Sequence, residues 1–225
     1  SREMRGRIED IVQEEMGNFW CGTFHGISHR LLRTHWEEAG LREEFAILDS
    51  EDQYRVIKRV VKSMGLDDTK WPPRQIQWFI NKQKDECLRS KDVEATDDYF
   101  TEKMVEVYKV YEELCERESL VDFGELLLRV YGLLKTNEQV LQHYQRRFSH
   151  ILVDEFQDTN EVQYQFLRIL AEGGSNFMAV GDDDQSIYGW RGAKSENISR
   201  FTNDYKDTEI IRLEQNYRSS SVILN

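Results

Sequence analysis

Short runs of apolar residues, each ending abruptly in polar residues, mark the C-terminal third of the chain. Ile151-Leu152-Val153 leads directly into Asp154-Glu155, and Asn176-Phe177-Met178-Ala179-Val180 leads into Gly181-Asp182-Asp183-Asp184-Gln185. Glu209-Ile210-Ile211-Arg212-Leu213 is a third run of this kind. Apolar runs bounded by turn residues predict buried strands, and uninterrupted apolar runs are typical of parallel strands that are covered on both faces.

Helical periodicity fills the segments between these runs. Val162, Phe166 and Leu170 recur on one face of a helix predicted over 160–171, and Phe201 belongs to a following helix. Alternation of strands and helices predicts a parallel α/β sheet.

The first 36 residues continue the α/β pattern. Helical spacing predicts an amphipathic helix over 2–15, and Phe19-Trp20-Cys21-Gly22-Thr23 predicts a short strand. Thr23 then opens a helix whose first turns carry basic residues such as His25 and Arg30. Such a helix start can hold a phosphate through its backbone N–H groups and its dipole; a capped helix with solvated basic side chains is the alternative.

Residues 37–145 have helical spacing almost throughout, and we predict no strand among them. Asp49 and Asp122 stand at predicted N-caps, Pro73 suits a first helical turn, and a long helix is predicted over 98–117. The apolar stripes of these helices are expected to pack in a core. This block is therefore predicted to be a helical insertion in the α/β sheet.

Asp154 and Glu155 stand where α/β proteins place their chemistry, just outside the carboxyl end of a strand. Neighbouring side chains on a strand point to opposite faces, so the two carboxylates are expected to differ in role. One would hold a divalent metal and the other would take a proton from water. The alternative is a strand end followed by an acidic N-cap for the helix over 160–171.

The other two strand ends add an amide, a flat aromatic ring and a guanidinium. Gln185 follows the second apolar run, and Tyr217 and Arg218 follow the third. Mg²⁺ is commonly held by one or two carboxylates together with phosphate oxygens, and an arginine near a γ-phosphate is worth about 10³–10⁵ in rate. The combined set predicts hydrolysis of a nucleoside triphosphate.

Tyr188 and Trp190 lie in a polar stretch that is rich in glycine. An exposed aromatic ring that stacks on a base contributes about 1–3 kcal/mol and requires no particular base sequence. These residues therefore predict contact with single-stranded nucleic acid. A tryptophan that fills a gap between domains is the alternative.

Charge and cysteine content narrow the class of protein. The 225-residue chain carries a formal net charge of −12, which argues against a protein that coats nucleic acid generally but allows a local basic groove. Three scattered cysteines form neither a disulfide framework nor a metal-ligand spacing, which fits a reducing, intracellular setting. No apolar stretch approaches the roughly 18 residues that a membrane span needs.

Long motifs resemble those of the UvrD/Rep/PcrA-type DNA helicases of superfamily 1. Val153–Asn160, Val180–Ala193 and Leu213–Ser219 resemble motifs II, III and IV of that family, and Gly22-Thr23-Phe24-His25 resembles motif Ib. The similarity runs the whole length of the chain, including Val121-Asp122-Phe123 in the helical block.

The resemblance implies an ATP site with Mg²⁺. Asp154 would hold the Mg²⁺ ion, and Glu155 would activate the attacking water. Gln185 would contact the γ-phosphate and couple it to DNA. Tyr217 would stack on the adenine, and Arg218 would reach the γ-phosphate.

The resemblance also implies a path for single-stranded DNA. Tyr188 and Trp190 would stack on bases, Arg191 would link the ATP and DNA sites, and Thr23 and His25 would lie along the path. The expected partners are single-stranded DNA, its junction with duplex DNA, and DNA repair proteins. The expected location is the cytoplasm, at the nucleoid.

The implied fold is an incomplete RecA-like P-loop NTPase sheet with a large all-helical insertion. Residues 1–36 and 139–225 would form the two parts of RecA-like subdomain 1A, and residues 37–138 would form helical subdomain 1B. The implied function is that of an ATP-dependent 3′–5′ DNA helicase that translocates on single-stranded DNA and unwinds duplex in repair or replication.

The phosphate-binding loop of such an enzyme is not in the sequence. Gly17 and Gly22 have a similar spacing, but no lysine follows the second glycine, and no GxxxxGK[ST] occurs elsewhere. We expect that loop before residue 1 and a second RecA-like domain after residue 225, so the chain by itself should neither hydrolyse ATP nor unwind DNA. A non-catalytic module that binds DNA or a partner protein, and a RecB-like helicase–nuclease subunit, are the alternatives.

Overall fold

The computed structural model describes residues 2–12, 19–94, 98–185, 196–213 and 215. Within these residues the chain is a mixed α/β structure with short parallel strands and many helices. The elements are α1 (Arg2–Val12), α2 (Phe24–Thr34), β1 (Ala46–Leu48), α3 (Ser50–Ser63), α4 (Pro73–Asp85), α5 (Tyr99–Glu118), β2 (Leu120–Asp122), α6 (Phe123–Thr136), α7 (Glu138–Arg147), β3 (His150–Val153), α8 (Glu161–Ala171), β4 (Asn176–Ala179) and α9 (Asn197–Asp204). None of the described helices has both the length and the apolar character needed to cross a bilayer.

Side-chain caps start the helices where the sequence predicts them. The carboxylate of Asp49 accepts hydrogen bonds from the backbone N–H groups of Glu51 and Asp52, both at 2.8 Å. Asp122 accepts from the backbone N–H of Glu125 at 2.8 Å. Such caps contribute about 1 kcal/mol each, and the predicted starts of α3 and α6 are confirmed.

Two short strands lie in the block over 37–145, so the prediction of an all-helical block is wrong. β1 pairs with β2 in parallel, with Ile47 opposite Val121. Each strand has only three residues and leads into a capping aspartate, Asp49 or Asp122. A strand this short cannot show a period of two residues, and the helical spacing on either side conceals it.

β3 and β4 form a second parallel pair, connected by α8, as the strand–helix alternation predicts. Val153 lies opposite Ala179. The ladder continues past the strands, because the Val180 N–H donates to the carbonyl of Val153 at 2.8 Å and the Phe156 N–H donates to the carbonyl of Val180 at 2.9 Å. The two segments that follow β3 and β4 are therefore held side by side.

Two other predicted strands are not strands. In the segment over 19–23, the ring of Trp20 packs edge-on against Tyr144 and Phe148. These side-chain contacts hold the segment in place, and it makes no strand pairing within the described part of the chain. The segment over 209–213 pairs with no strand among the described residues, and Leu213 is 88% exposed. An apolar run forms a strand only where another strand is available to pair with it.

Four apolar clusters join the described elements, and the smallest lies between α6 and α8 around Val162. The first connects α2, α6, α7 and α8 around Leu31 and Leu134. The second connects α3, α4 and α5 around Ile57 and Tyr108. The third connects β3, α8 and α9 around Phe156. Because α8 contributes to both the first and the third cluster, the segment between β3 and α8 is anchored at both ends.

Candidate functional site

The carboxyl ends of β3 and β4 meet at one edge of their sheet. Asp154 and Glu155 follow β3 directly, and Gly181 to Gln185 follow β4 after one residue. Since the backbone ladder holds the two strand ends together, the polar segments that the sequence places after each strand lie next to each other.

Glu155 adopts a left-handed backbone conformation, with φ of 52° and ψ of 44°. Its N–H donates to the Oδ1 atom of Asp154 at 3.0 Å. The strand ends at Val153, so the expectation that the pleat of a strand separates the two carboxylates is wrong. A tight turn at Glu155 sets the direction of its side chain instead.

A buried glutamine connects the two strand ends. Gln157 is 1% exposed; its Nε2 donates to Oε2 of Glu155 at 2.7 Å, and its Oε1 accepts from the backbone N–H of Asp182 at 3.0 Å. The Oδ2 atom of Asp182 accepts from Nε2 of Gln185 at 2.6 Å. One hydrogen-bonded path therefore runs from Glu155 to Gln185.

Carboxylates dominate the charge of this edge. Asp154, Glu155 and Asp158 follow β3, while Asp182 and Asp184 follow β4. Burial, and then the negative charge of Glu155, raise the pKa of Asp158. Asp154 and Glu155 are both exposed, so the negative charge of this edge is open to a cation from solvent.

The residues at this edge fit Mg²⁺ only when a phosphate completes its shell. Among the described residues, no group of three or more His, Cys, Asp or Glu side chains is arranged to hold a metal ion. Mg²⁺ keeps several waters and takes its other ligands from one or two carboxylates and from phosphate oxygens. Asp154 fits that mode, because its carboxylate is exposed and is oriented by the N–H of Glu155.

Contacts from other helices hold the segment that follows the two carboxylates. Asn160 caps α8 by accepting from the backbone N–H of Gln163 at 3.0 Å, and its Nδ2 donates to Asp85 of α4 at 2.7 Å. Asn197 of α9 is fully buried and donates to the carbonyl of Thr159 at 2.9 Å. The site is thus tied to α4 on one side and to α9 on the other.

The start of α2 carries two further predicted site residues, and an exposed aromatic ring lies next to them. Thr23 caps the helix by accepting from the backbone N–H of Gly26 at 3.2 Å. The ring of His25 meets that of Phe123 edge-on, with the centroids 5.7 Å apart. Burial lowers the pKa of His25. Phe123 is 48% exposed.

Five of the predicted site residues lie outside the described residues. They are Tyr188, Trp190, Arg191, Tyr217 and Arg218.

Gln157 and Phe123 were not predicted as site residues from the sequence. Gln157 follows the acidic pair by two residues, and no periodicity marks a polar side chain that is buried between two strand ends. Phe123 was missed because its spacing of three positions from Leu126 places it with the buried stripe of α6 in the sequence pattern, although its ring is half exposed.

A family model and individual relatives both match this chain over nearly its whole length, and the relatives are named as DNA helicases. Residues 1–206 match the model of a family described as the UvrD/REP helicase N-terminal domain. The chain is 54% identical over 223 residues to DNA helicase II of Escherichia coli (strain K12), a match that covers 99% of this chain and 31% of that protein.

Two further relatives show the same coverage. The chain is 52% identical over 227 residues to DNA helicase II of Haemophilus influenzae, with 99% of this chain and 31% of the relative covered. It is 40% identical over 227 residues to the ATP-dependent DNA helicase PcrA of Leuconostoc citreum, with 100% and 30% covered. The chain therefore spans less than a third of the length of these relatives.

Proposed function

Because this chain belongs to the UvrD/REP helicase family, matching its N-terminal domain, we propose that it supplies ATP-hydrolysing and DNA-contacting residues to an ATP-dependent DNA helicase. The relatives named as DNA helicase II and as PcrA are about three times as long as this chain. The activity is therefore proposed for the full-length protein that contains these residues.

The meeting of the two strand ends is the observation that carries this proposal. Exposed Asp154 and Glu155 lie beside the Gly181–Gln185 segment, and a hydrogen-bonded path joins Glu155 to Gln185. Hydrolysis of a nucleoside triphosphate needs a carboxylate for the metal, an acceptor for the proton of water, and a group at the γ-phosphate. One edge of the sheet provides side chains of all three kinds.

Each side chain has a separate role in the proposed reaction. Asp154 would hold Mg²⁺, and the bound ion would neutralise charge on the phosphate oxygens. Glu155 orients the attacking water and accepts its proton, and Gln185 contacts the γ-phosphate. By resemblance to the family, Tyr217 stacks on the adenine and Arg218 reaches the γ-phosphate.

Single-stranded DNA is the proposed polymer substrate. Thr23 and His25 lie along its path, and the exposed ring of Phe123 beside His25 offers a face on which a base can stack. Burial disfavours the charged form of His25, which favours a hydrogen bond or a stacking contact with DNA over an ion pair. Three further residues of the proposed path are Tyr188, Trp190 and Arg191.

The proposed domain organisation follows that of the family. Residues 1–36 and 139–225 form the two parts of RecA-like subdomain 1A, and residues 37–138 form subdomain 1B, which faces the junction between single-stranded and duplex DNA. The two strands β1 and β2 are then part of subdomain 1B. The protein acts in the cytoplasm at the nucleoid, with DNA repair proteins as partners.

The 225-residue chain on its own is proposed to be inactive. It contains no GxxxxGK[ST] sequence, and NTPases of this class hold the β- and γ-phosphates with the lysine of that loop. A steady-state ATPase assay with single-stranded DNA tests this point. Turnover by the 225-residue chain at the level of the full-length protein would disprove it.

Unwinding by the full-length protein tests the proposed helicase activity and its direction. Two duplexes are compared, one with a 3′ single-stranded tail and one with a 5′ tail. With Mg²⁺ and ATP, the 3′-tailed duplex should be unwound and the 5′-tailed duplex should not. Preference for the 5′ tail would overturn the direction, and failure on both duplexes would overturn the activity.

A further inference from the structure

Both the nitrogen and the oxygen of the Gln157 side-chain amide make hydrogen bonds with residues of the site. The backbone N–H of Asp182 can only donate, so the oxygen of the amide must face it, at 3.0 Å. The amide nitrogen then faces the Glu155 carboxylate, which can only accept, at 2.7 Å. The two partners therefore fix the orientation of the amide, and the side chain is almost fully buried between them.

We call the two hydrogen bonds that connect Glu155 to Asp182 through Gln157 the Gln157 bridge. Gly181 leaves the space that this bridge occupies. A Cβ atom at residue 181 would lie 2.6 Å from Oε1 of Gln157 and 3.3 Å from its backbone nitrogen. Real Cβ atoms essentially never approach another atom to 2.6 Å, so a larger residue would displace the amide. The contact thus depends on residues from both strand ends.

Asp182 extends the bridge into the turn that carries Gln185. Its Oδ1 accepts from the backbone N–H of Asp184 at 3.0 Å, and its Oδ2 accepts from Nε2 of Gln185 at 2.6 Å. The same residue therefore shapes the 182–185 turn through its side chain and contacts Gln157 through its backbone. A shift of this turn would therefore move the Asp182 N–H group that donates a hydrogen bond to Gln157.

We propose that Gln157 is a positioning residue, which holds the Glu155 carboxylate towards the attacking water only while the Gly181–Gln185 segment is in place. This inference rests on the proposed function, in which Glu155 accepts the proton of water. The Gly181–Gln185 segment continues along the sequence into Tyr188 and Trp190, which are proposed to contact DNA. Gln157 would thereby make the orientation of Glu155 respond to bound DNA.

Gln157 should matter for the rate because it limits the rotation of the Glu155 side chain. The backbone of Glu155 is fixed by its tight turn, but its carboxylate can still rotate about the side-chain bonds. The bond from Gln157 removes that freedom, and a group held in its productive orientation reacts faster than one that samples many orientations.

Gln157→Met in the full-length protein tests the proposal, because methionine fills a similar volume and makes neither hydrogen bond. The DNA-stimulated kcat should fall at least tenfold, while the KM for ATP and the affinity for single-stranded DNA stay within twofold. The matched control is Gln165→Met, since Gln165 also donates to a glutamate, Glu161 at 2.7 Å, but lies on α8 away from the strand ends. The control should keep the wild-type kcat.

The contrast between kcat and the two binding constants is a readout that a general loss of packing would not give, because a misfolded site would also bind ATP and DNA more weakly. A loss of ATP or DNA affinity in Gln157→Met as large as its loss of kcat would overturn the proposal.

A pair of substitutions tests whether Gly181 acts through Gln157. Gly181→Ala should lower kcat strongly when Gln157 is present, and much less when Gln157 is already replaced by alanine. Independent effects that multiply would contradict the bridge. Retention of wild-type kcat by Gln157→Met would contradict it as well.

Glu155→Gln in the same protein separates failure of this inference from failure of the proposed function. If Glu155→Gln retains turnover, the proposed function is wrong. If Glu155→Gln abolishes turnover and Gln157→Met does not, the proposed function stands and only the role of Gln157 is wrong.

Discussion

At Glu155 the backbone takes a conformation that residues with a Cβ atom rarely adopt. Such strain costs about 1–3 kcal/mol, and it persists only where the surroundings hold the residue in place. Here the N–H of Glu155 donates a hydrogen bond to Asp154, and its carboxylate accepts one from Gln157. The next residue, Phe156, is buried, and its N–H donates to the carbonyl of Val180. The site thus stores strain at the residue proposed to activate water.

Two substitutions of Glu155 should differ in stability because of this strain. Both Glu155→Gly and Glu155→Ala remove the carboxylate, but only alanine keeps a Cβ atom in the left-handed conformation. We expect the glycine variant to be more stable by about 1 kcal/mol, as measured by urea unfolding of the 225-residue chain. At Glu172, where the backbone is right-handed helical, the order should reverse. A glycine variant at residue 155 no more stable than the alanine variant would show that the strain is absent.

At the scale of elements, helices were predictable and strands only partly so. Asp49 and Asp122 cap helices through bonds within three residues, so the sequence is sufficient to locate them. Pairing depends on distant residues, which is why β1 and β2 were missed and the strand over 209–213 was wrongly predicted. The neighbouring strand ends of the site follow from parallel pairing of β3 with β4, whereas the bridge through Gln157 depends on a tertiary contact that no local pattern indicates.

Buried charged side chains join the elements of the block over 37–145. Oδ2 of Asp122, at the junction of β2 and α6, accepts from the hydroxyl of Tyr111 at 2.6 Å and from Nζ of Lys84 at 2.8 Å. Lys84 also lies 3.1 Å from Glu125. Burial by itself lowers the pKa of Lys84, but the charges of Asp122 and Glu125 outweigh burial and raise it. Lys84 therefore stays charged and balances two buried carboxylates.

Lys84→Met should destabilise the chain by about 3–5 kcal/mol, because it leaves the buried carboxylate of Asp122 without its cation, whereas Glu125 keeps Arg89 and Arg129. The matched control is Lys82→Met on the same helix. Lys82 is exposed and lies 5.3 Å above the ring of Trp78, so its loss should cost about 1 kcal/mol or less. Urea unfolding of both variants makes the comparison. Equal stability of the two variants would show that the buried ion pairs do not support the fold.

At the scale of the whole molecule, α4 of the helical block is bonded to the segment that carries the acidic pair. The contact is the 2.7 Å hydrogen bond from Asn160 to Asp85. Burial, and then the negative charges of Glu86 and Asp122, raise the pKa of Asp85 to about 7, against the opposing effect of the bond from Asn160. The contact between the helical block and the site therefore involves a carboxyl group that titrates near neutral pH.

The contribution of Asp85 to stability should fall as pH rises from about 4 to 7, since the folded state then binds more protons at Asp85 than the unfolded state does. Asp85→Asn should remove this contribution and should raise the Tm at pH 8 by several degrees, with a smaller gain at pH 5. Thermal unfolding across this pH range measures the effect. Asp207→Asn, at an exposed position, is the control and should leave the pH dependence unchanged. The same pH dependence in Asp85→Asn as in the wild type would disprove the role of Asp85.

Hydrolysis of ATP by the full-length protein carrying Glu155→Gln tests the proposed function most directly. Glutamine keeps the shape of the side chain but cannot accept the proton of water. DNA-stimulated turnover should fall by about 10²-fold or more, while the Kd for Mg·ATP stays within a few-fold of the wild-type value, because Asp154 is unchanged. Wild-type turnover would point to a module that only binds DNA or a partner protein, and equal loss of turnover and nucleotide binding would contradict the role given to Glu155.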